Sequence, residues 1–277
     1  MIAARFSGSI GKPVKQLSGV IITFNEAEKV RGALESLRSV CDEIVVVDSF
    51  SRDATPEICR RYADRFVQRE WPGYKLQKQF ATDLAACDWI LSLDADERLS
   101  SPLAREIGVW KQRTGTGYDG YRIPRLSFFW GRWIRHGLWY PDYQVRLFRR
   151  SKGSWVGGRV HESFQVGGPV SVLQNPIYHF SYASLDEYLR QLVHFSRLAA
   201  LDLQERGIRP RASGLLLSPL LVFMKSWIFN RGFLDGTQGL IVSALAAVST
   251  FFKHAYLWEQ RLGKSLSEQE WTELEEP

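Results

Sequence analysis

Three carboxylates close an apolar run in Trp89-Ile90-Leu91-Ser92-Leu93-Asp94-Ala95-Asp96-Glu97. Carboxylates are costly to bury, so a core strand that ends in them places them there for use or to meet solvent. In open α/β sheets ligands bind just beyond the carboxyl ends of the strands. Two aspartates one residue apart can hold one hard divalent cation against a phosphate-bearing substrate. The same triplet also reads as an acidic turn into the Arg98–Ser101 loop, and Asp-x-Asp alone is too short to decide. Two further apolar runs end in polar groups: Thr23, Asn25 and Glu26 after one, Asp48 after the other.

The elements that must carry these residues follow from pattern. Leu17–Phe24 reads as a buried strand, and Asn25 with Glu28 three positions on reads as a helix N-cap. Val30, Ala33, Leu34 and Leu37 then mark one helix face. Glu43–Val47 is a second strand ending at Asp48. Thr55-Pro56 opens a second helix, with Ile58, Cys59 and Tyr62 inward. Arg65–Gln68 is a short strand, Leu76–Cys87 a third helix, and Asp88–Leu93 the strand before the acids. This β-α-β-α-β-α-β order predicts an α/β fold with a mostly parallel sheet, helices on both faces and the polar strand ends on one rim. No Gly-rich dinucleotide or P-loop motif is present. A bound phosphate must then be neutralised by a metal and by side chains, with Arg52, Lys75 and Lys78 placed nearby.

Composition narrows the class. The 277 residues are 45% hydrophobic and 24% charged, which describes a globular chain. A net charge of +6 favours anionic partners. Cys41, Cys59 and Cys87 lack metal spacing and are expected to be reduced core thiols of a cytoplasmic protein. Met1–Val14 reads as a tail without a secretion signal's apolar core.

Three segments carry a resemblance: Val20-Ile21-Ile22-Thr23-Phe24-Asn25-Glu26, Val45-Val46-Val47-Asp48-Ser49-Phe50-Ser51-Arg52-Asp53-Ala54-Thr55 and Leu91-Ser92-Leu93-Asp94-Ala95-Asp96-Glu97. They resemble the signature segments of family 2 glycosyltransferases. Trp130–Pro141, Arg146-Leu147-Phe148-Arg149-Arg150 and Val160-His161-Glu162 are similar to that family's lipopolysaccharide core branch, which includes transferases adding β-linked glucose to inner-core heptose. The resemblance implies a GT-A fold, inversion at the anomeric carbon, a UDP-sugar donor, a lipid-linked glycan acceptor and a divalent cation, Mg2+ or Mn2+. It places Thr23, Asn25, Glu26, Asp48, Lys78, Asp94 and Arg146 on the nucleotide sugar, with Asp48 receiving the uracil N3–H. Asp96 and Asp94 become the metal ligands. An acid from the later region supplies the base in this fold, which points to Glu162, with His161 touching metal, diphosphate or acceptor.

Downstream, Gly120–Leu126 alternates as a strand. Trp130, Trp133 and Trp139 offer faces for sugar C–H groups or fill a core, and Arg132 and Arg135 suit phosphates. The expected division is a tail (1–15), a catalytic domain (16–183, its nucleotide half ending near 100) and a helical region (184–277). Ser184-Leu185-Asp186-Glu187 is a capping box. The apolar runs Leu215–Phe229 and Gly239–Phe252 fall short of the roughly 20 residues of a membrane span. Punctuated by Arg209, Arg211, Lys225, Arg231, Lys253 and Arg261, they read as helices in an anionic membrane interface on the cytoplasmic side, or as a packed pair. A nucleotidyltransferase would carry a Gly-rich basic loop after the first strand. In a glycoside hydrolase the acids must flank a sugar ring, and Asp94 and Asp96 are too close in sequence for that. A non-enzymatic module binding membrane or nucleic acid leaves the acidic rim unexplained, and no nucleic-acid partner is expected.

Overall fold

The structure is a computed structural model that describes residues 15–115, 117–157, 162–182 and 184–262. Its strands are β1 (Leu17–Thr23), β2 (Glu43–Asp48), β3 (Arg65–Gln68), β4 (Trp89–Asp94), β5 (Glu97–Leu99), β6 (Gly120–Phe129), β7 (Arg132–Trp133), β8 (Asp142–Arg149), β9 (Gly153–Gly157), β10 (Glu162–Val166), β11 (Val170–Val172) and β12 (Ile177–Tyr182). The α-helices are α1 (Val30–Arg38), α2 (Thr55–Tyr62), α3 (Tyr74–Leu84), α4 (Ser101–Gln112), α5 (Leu185–Glu205), α6 (Ala212–Met224) and α7 (Gly236–Leu262).

The main sheet has the order β3-β2-β1-β4-β8-β6-β12-β5. Its first four strands are parallel, and β8 joins β4 antiparallel. Near-continuous apolar β1, β2 and β4 are what a parallel sheet covered on both faces requires. One face packs Leu17, Ile21, Ile44 and Leu91 against Val30, Leu34 and Leu37 of α1. The other packs Val20, Val45 and Ile90 against Ala81 of α3, Phe148 and Phe164. The register sets Thr23 opposite Asp48 and Ile22 opposite Asp94, so three strand ends share one rim, as the sequence predicts.

Two local expectations fail. Asn25 does not cap α1. The helix begins at Val30 behind Lys29, without a side-chain cap, and Asn25 sits at φ +54 with its amide committed elsewhere. The third helix starts two residues before Leu76 and stops at Leu84, because Ala85 is already extended.

Two compact units divide the chain. One comprises the chain up to Arg125 with Tyr143–Val156 and Ser163–His179; the other comprises Leu126–Asp142, Gly157–Glu162 and the chain from Phe180 onward. In the second, Phe129, Ile134, Tyr188, Leu192, Val242 and Leu245 form the core. The capping box is realised, with the Leu185–Glu205 helix opened by a Glu187 N–H donating to Ser184 Oγ at 3.1 Å. Ala212–Phe229 and Gly232–Leu262 are each long and apolar enough to cross a membrane by length and composition. The runs expected from sequence, Leu215–Phe229 with interruptions at Pro219 and Lys225 and Gly239–Phe252 ending before Lys253, are shorter than these helices, which continue through all three residues.

Candidate active site

Two loops are stitched together at the rim. Asn25 N–H donates to Ser51 Oγ (2.8 Å), Glu26 N–H to Thr55 Oγ1 (2.8 Å), and Arg52 N–H to Asn25 Oδ1 (2.8 Å). Beneath them Asp48 is fully buried. Its carboxylate accepts from Thr23 Oγ1 (3.0 Å), Ser51 N (2.9 Å), Gln68 Nε2 (3.0 Å) and Ser51 Oγ. A carboxylate offers about four acceptor positions, and here the protein fills them. Asp48 therefore ties the ends of β1, β2 and β3 to one another.

At the end of β4, Asp94 lies between two cations. Lys78 Nζ is 2.8 Å from one of its oxygens, and the Arg146 guanidinium is 2.6 Å from the other. Arg146 also reaches buried Glu97 at 2.7 Å, and Glu97 in turn accepts from the Asp94 N–H (3.0 Å) and from Arg125 (3.4 Å). Burial alone would raise the Asp94 pKa, but Arg146 and then Lys78 hold it well below the usual carboxylate range. Lys78 is itself 5% exposed and lies 5.2 Å from the Trp155 ring, so it is a built-in counter-ion. Gln79, beside it, accepts from the Trp155 backbone N–H at 3.0 Å.

Asp96 meets a different partner. His179 Nε2, from β12, stands 3.2 Å from Asp96 Oδ2. Burial pushes the Asp96 carboxyl up, and the imidazole of His179 outweighs it, leaving the pKa lowered. Among the described residues no group of three or more His, Cys, Asp or Glu forms a cation cage. Asp96 nonetheless fits a Mg2+ or Mn2+ ion that completes its shell with water and phosphate oxygens, the usual way Mg2+ is held, with the His179 imidazole 3.2 Å from the carboxylate. Asp94 is not open as a ligand while its two ion pairs stand.

Of the predicted site residues, Thr23, Asn25, Glu26, Asp48, Lys78, Asp94, Asp96 and Arg146 all lie in the first unit: Thr23 and Asn25 gather around Asp48 directly or through Ser51, Glu26 bonds Thr55, Lys78 and Arg146 clamp Asp94, and Asp96 meets His179. Glu162 opens β10, is half-buried, and belongs to the second unit. His161 lies outside the described residues. Trp130, Trp133 and Trp139 do not stack on one another. Trp130 stacks on Phe129 at 4.5 Å, Trp133 meets Phe128 at 5.0 Å, and Trp139 packs among Phe129, Tyr182 and Tyr188. His179, Gln68 and Arg125 were missed by sequence reasoning. Only the alternation of Ile177–Tyr182, which reads as a strand, carried a signal for the first.

The ends of parallel β1, β2 and β4 bring Thr23, Asp48 and Asp94 to one rim, where Lys78 of α3 and Arg146 of antiparallel β8 supply counter-ions and His179 of β12 meets Asp96. Residues 18–161 match the model of the family described as glycosyl transferase family 2, and the chain belongs to that family and is a glycosyltransferase. It is 30% identical over 269 residues to the lipopolysaccharide core biosynthesis glycosyltransferase LpsC of Rhizobium meliloti, covering 92% of this chain and 99% of that one. An uncharacterized glycosyltransferase of Rickettsia bellii is 29% identical over 90% of this chain and 88% of its own. Among solved structures, S. aureus TarS 1–349 in complex with UDP aligns over 91% of this chain and 93% of that chain, with 15% identity and a TM-score of 0.47.

Proposed function

We propose that the protein moves a hexose, glucose on the family resemblance, from a UDP-sugar to a hydroxyl of a lipopolysaccharide core or similar lipid-linked glycan, with inversion. The observation that carries this reading is the rim at Asp94 and Asp96, where one carboxylate is clamped by Lys78 and Arg146 and the next faces His179. Thr23, Asn25, Glu26 and Asp48 line the nucleoside side, and Asp48 takes the uracil N3–H by exchanging one of its present bonds. Asp96 and His179 would hold a divalent cation, which supplies positive charge to the departing diphosphate. Lys78 and Arg146 keep Asp94 ionised towards the ribose. Glu162 takes the proton from the attacking hydroxyl, and His161 contacts the diphosphate or the acceptor. Likeness to LpsC along nearly its whole length supports the choice of acceptor.

UDP release from a panel of UDP-sugars, with a core-oligosaccharide acceptor and with Mg2+, Mn2+ or a chelator, tests the reading. Release that needs both acceptor and metal is expected. No release from any donor overturns the transferase assignment to UDP-sugars, and undiminished release in chelator overturns the metal role. In a Glu162→Gln variant transfer should fall at least a hundredfold with donor binding retained, since a general base contributes about 10²–10⁴-fold.

The acceptor's lipid anchor gives the helical region a role at the cytoplasmic membrane face. Leu216, Leu217, Leu220 and Leu221 of α6, with Ile228 and Phe229, are exposed, while Gly214 and Ser226 face inward. Ser226 and Ser243 share a hydrogen bond of 2.8 Å, and Ser196 donates to the Ser249 carbonyl at 3.2 Å. Small and hydroxyl residues inside with leucines outside is how helices pack in lipid. Charged α5 runs beside α7, with Arg197 5.1 Å from the Tyr256 ring, so the pair lies along the interface with α6 immersed and α5 wet. Sedimentation with vesicles containing anionic lipid should pull the protein down. Recovery wholly in the supernatant sinks the membrane role.

A further inference from the structure

His136, in the segment Trp130–Gly137, pairs with a buried aspartate that the donor rim does not use. Asp235, 3% exposed, ends a short 3-10 turn just before α7. Its carboxylate accepts the backbone N–H groups of Arg135 (2.9 Å) and His136 (2.8 Å) and lies 2.9 Å from His136 Nδ1. A carboxylate on Nδ1 keeps the proton there and leaves the lone pair on Nε2. The imidazole is one-third exposed, and among the described residues nothing bonds that second nitrogen.

The loop is held to the helical hairpin at several further points. Gly137 N–H donates to the Asn230 carbonyl (2.9 Å) and Asn230 Nδ2 returns a bond to the Gly137 carbonyl (3.1 Å). Arg132 donates to the Leu234 carbonyl (3.1 Å) and Gln238 Nε2 to the Trp130 carbonyl (3.3 Å). Gly137 itself has φ +78, and a Cβ there would come 3.0 Å from Ser226 Oγ. An asparagine oxygen would satisfy the two backbone amides alone. What a buried aspartate adds is an acceptor for Nδ1, which matters only if the orientation and tautomer of the imidazole matter.

We infer that His136 is an acceptor-binding residue, its Nε2 accepting a hydrogen bond from a hydroxyl of the acceptor sugar, with Asp235 as its positioning residue. The exposed Trp130 ring on the same segment suits the apolar face of a saccharide. The inference rests on the glycosyltransfer reading above and adds a residue pair to its acceptor side.

Steady-state transfer with varied core-oligosaccharide acceptor, alongside UDP-glucose binding by calorimetry, tests it. His136→Ala should raise the acceptor KM at least tenfold while the donor Kd stays within twofold. His136→Gln, whose amide oxygen can stand where Nε2 does, should recover part of the loss. Asp235→Asn, which turns the ring to the wrong tautomer, should raise the acceptor KM alone but add nothing to His136→Ala. An unchanged acceptor KM in a folded His136→Ala, or a donor Kd that rises in parallel, overturns the inference. A wild-type protein that transfers from no UDP-sugar overturns the underlying reading instead, and the inference with it.

Discussion

In the first unit Val20, Ile21, Val45 and Leu93 fill a dry interior, and the charged groups Lys78, Asp94, Asp96 and Arg146 gather where the strands stop. In the C-terminal hairpin Ser226, Ser243, Gly214 and Gly239 are inside, and Leu216, Leu220, Leu221 and Phe229 are outside. Each arrangement follows from what surrounds it. The sheet excludes water and must match every buried charge with a partner. On the proposed membrane reading the hairpin faces a medium as apolar as its own leucines, so burying them would gain little and close approach of small residues would hold it together. On that reading one chain carries two cores built for two solvents.

The contrast can be broken most sharply at Arg146. Arg146→Met leaves Asp94 and Glu97 without their shared counter-ion, and breaking a buried pair in this way costs about 3–5 kcal/mol. Urea unfolding should show that loss, with transfer abolished. A midpoint within error of wild type would mean the rim is wetter than its burial implies. Next in size is Gly239→Ala. A Cβ at that position would lie 2.0 Å from the Gly232 carbonyl oxygen and 2.9 Å from Asp235 Cβ, so the turn before α7 must open. Overpacking of this kind costs about 1–3 kcal/mol, and thermal unfolding in detergent should report it. Triple substitution of Leu216, Leu220 and Leu221 by Ser should leave the melting temperature unchanged within 2–4 °C, about the shift that 1 kcal/mol produces in a chain of this size. The same variant should bind vesicles at least tenfold more weakly. A large fall in stability would show that these leucines have a protein partner. The smallest effect is at Cys59, whose thiol burial pushes up to about 12. Titration of the native protein with a thiol reagent at pH 8 should leave Cys59 unmodified until denaturant is added.

Much of the sheet was legible because its cause is local. Apolar runs closed by polar residues gave β1, β2 and β4 and their shared rim, and the spacing of Val30, Ala33, Leu34 and Leu37 gave the buried face of α1. The capping box at Ser184 was readable for the same reason. Asn25 misled because an Asn followed three positions on by Glu has the composition of a cap. The chain instead uses Asn25 and Glu26 to reach across to Arg52 and Thr55, a contact no window of sequence contains. Sequence reasoning places Lys78 near a phosphate and Arg146 on the nucleotide sugar, yet their first partner is Asp94, 16 and 52 positions away. That pairing needs both α3 and the antiparallel β8 in place. His179 is further still from Asp96, reached only when β12 pairs with β5. The helical hairpin was underestimated because counting uninterrupted apolar residues stops at Pro219 and Lys225, while backbone hydrogen bonding does not.

Asp94 and Glu97 face Lys78, Arg146 and Arg125, two carboxylates against three cations, while Asp96 pairs with His179, so the charges around Asp94 are matched within the protein. The reorganisation needed to aim those dipoles and charges is met once, during folding, rather than at each turnover. On the proposed reading a donor's diphosphate would enter a field already set around Asp94, and the exchange of one Asp48 bond would be the main rearrangement left to each cycle.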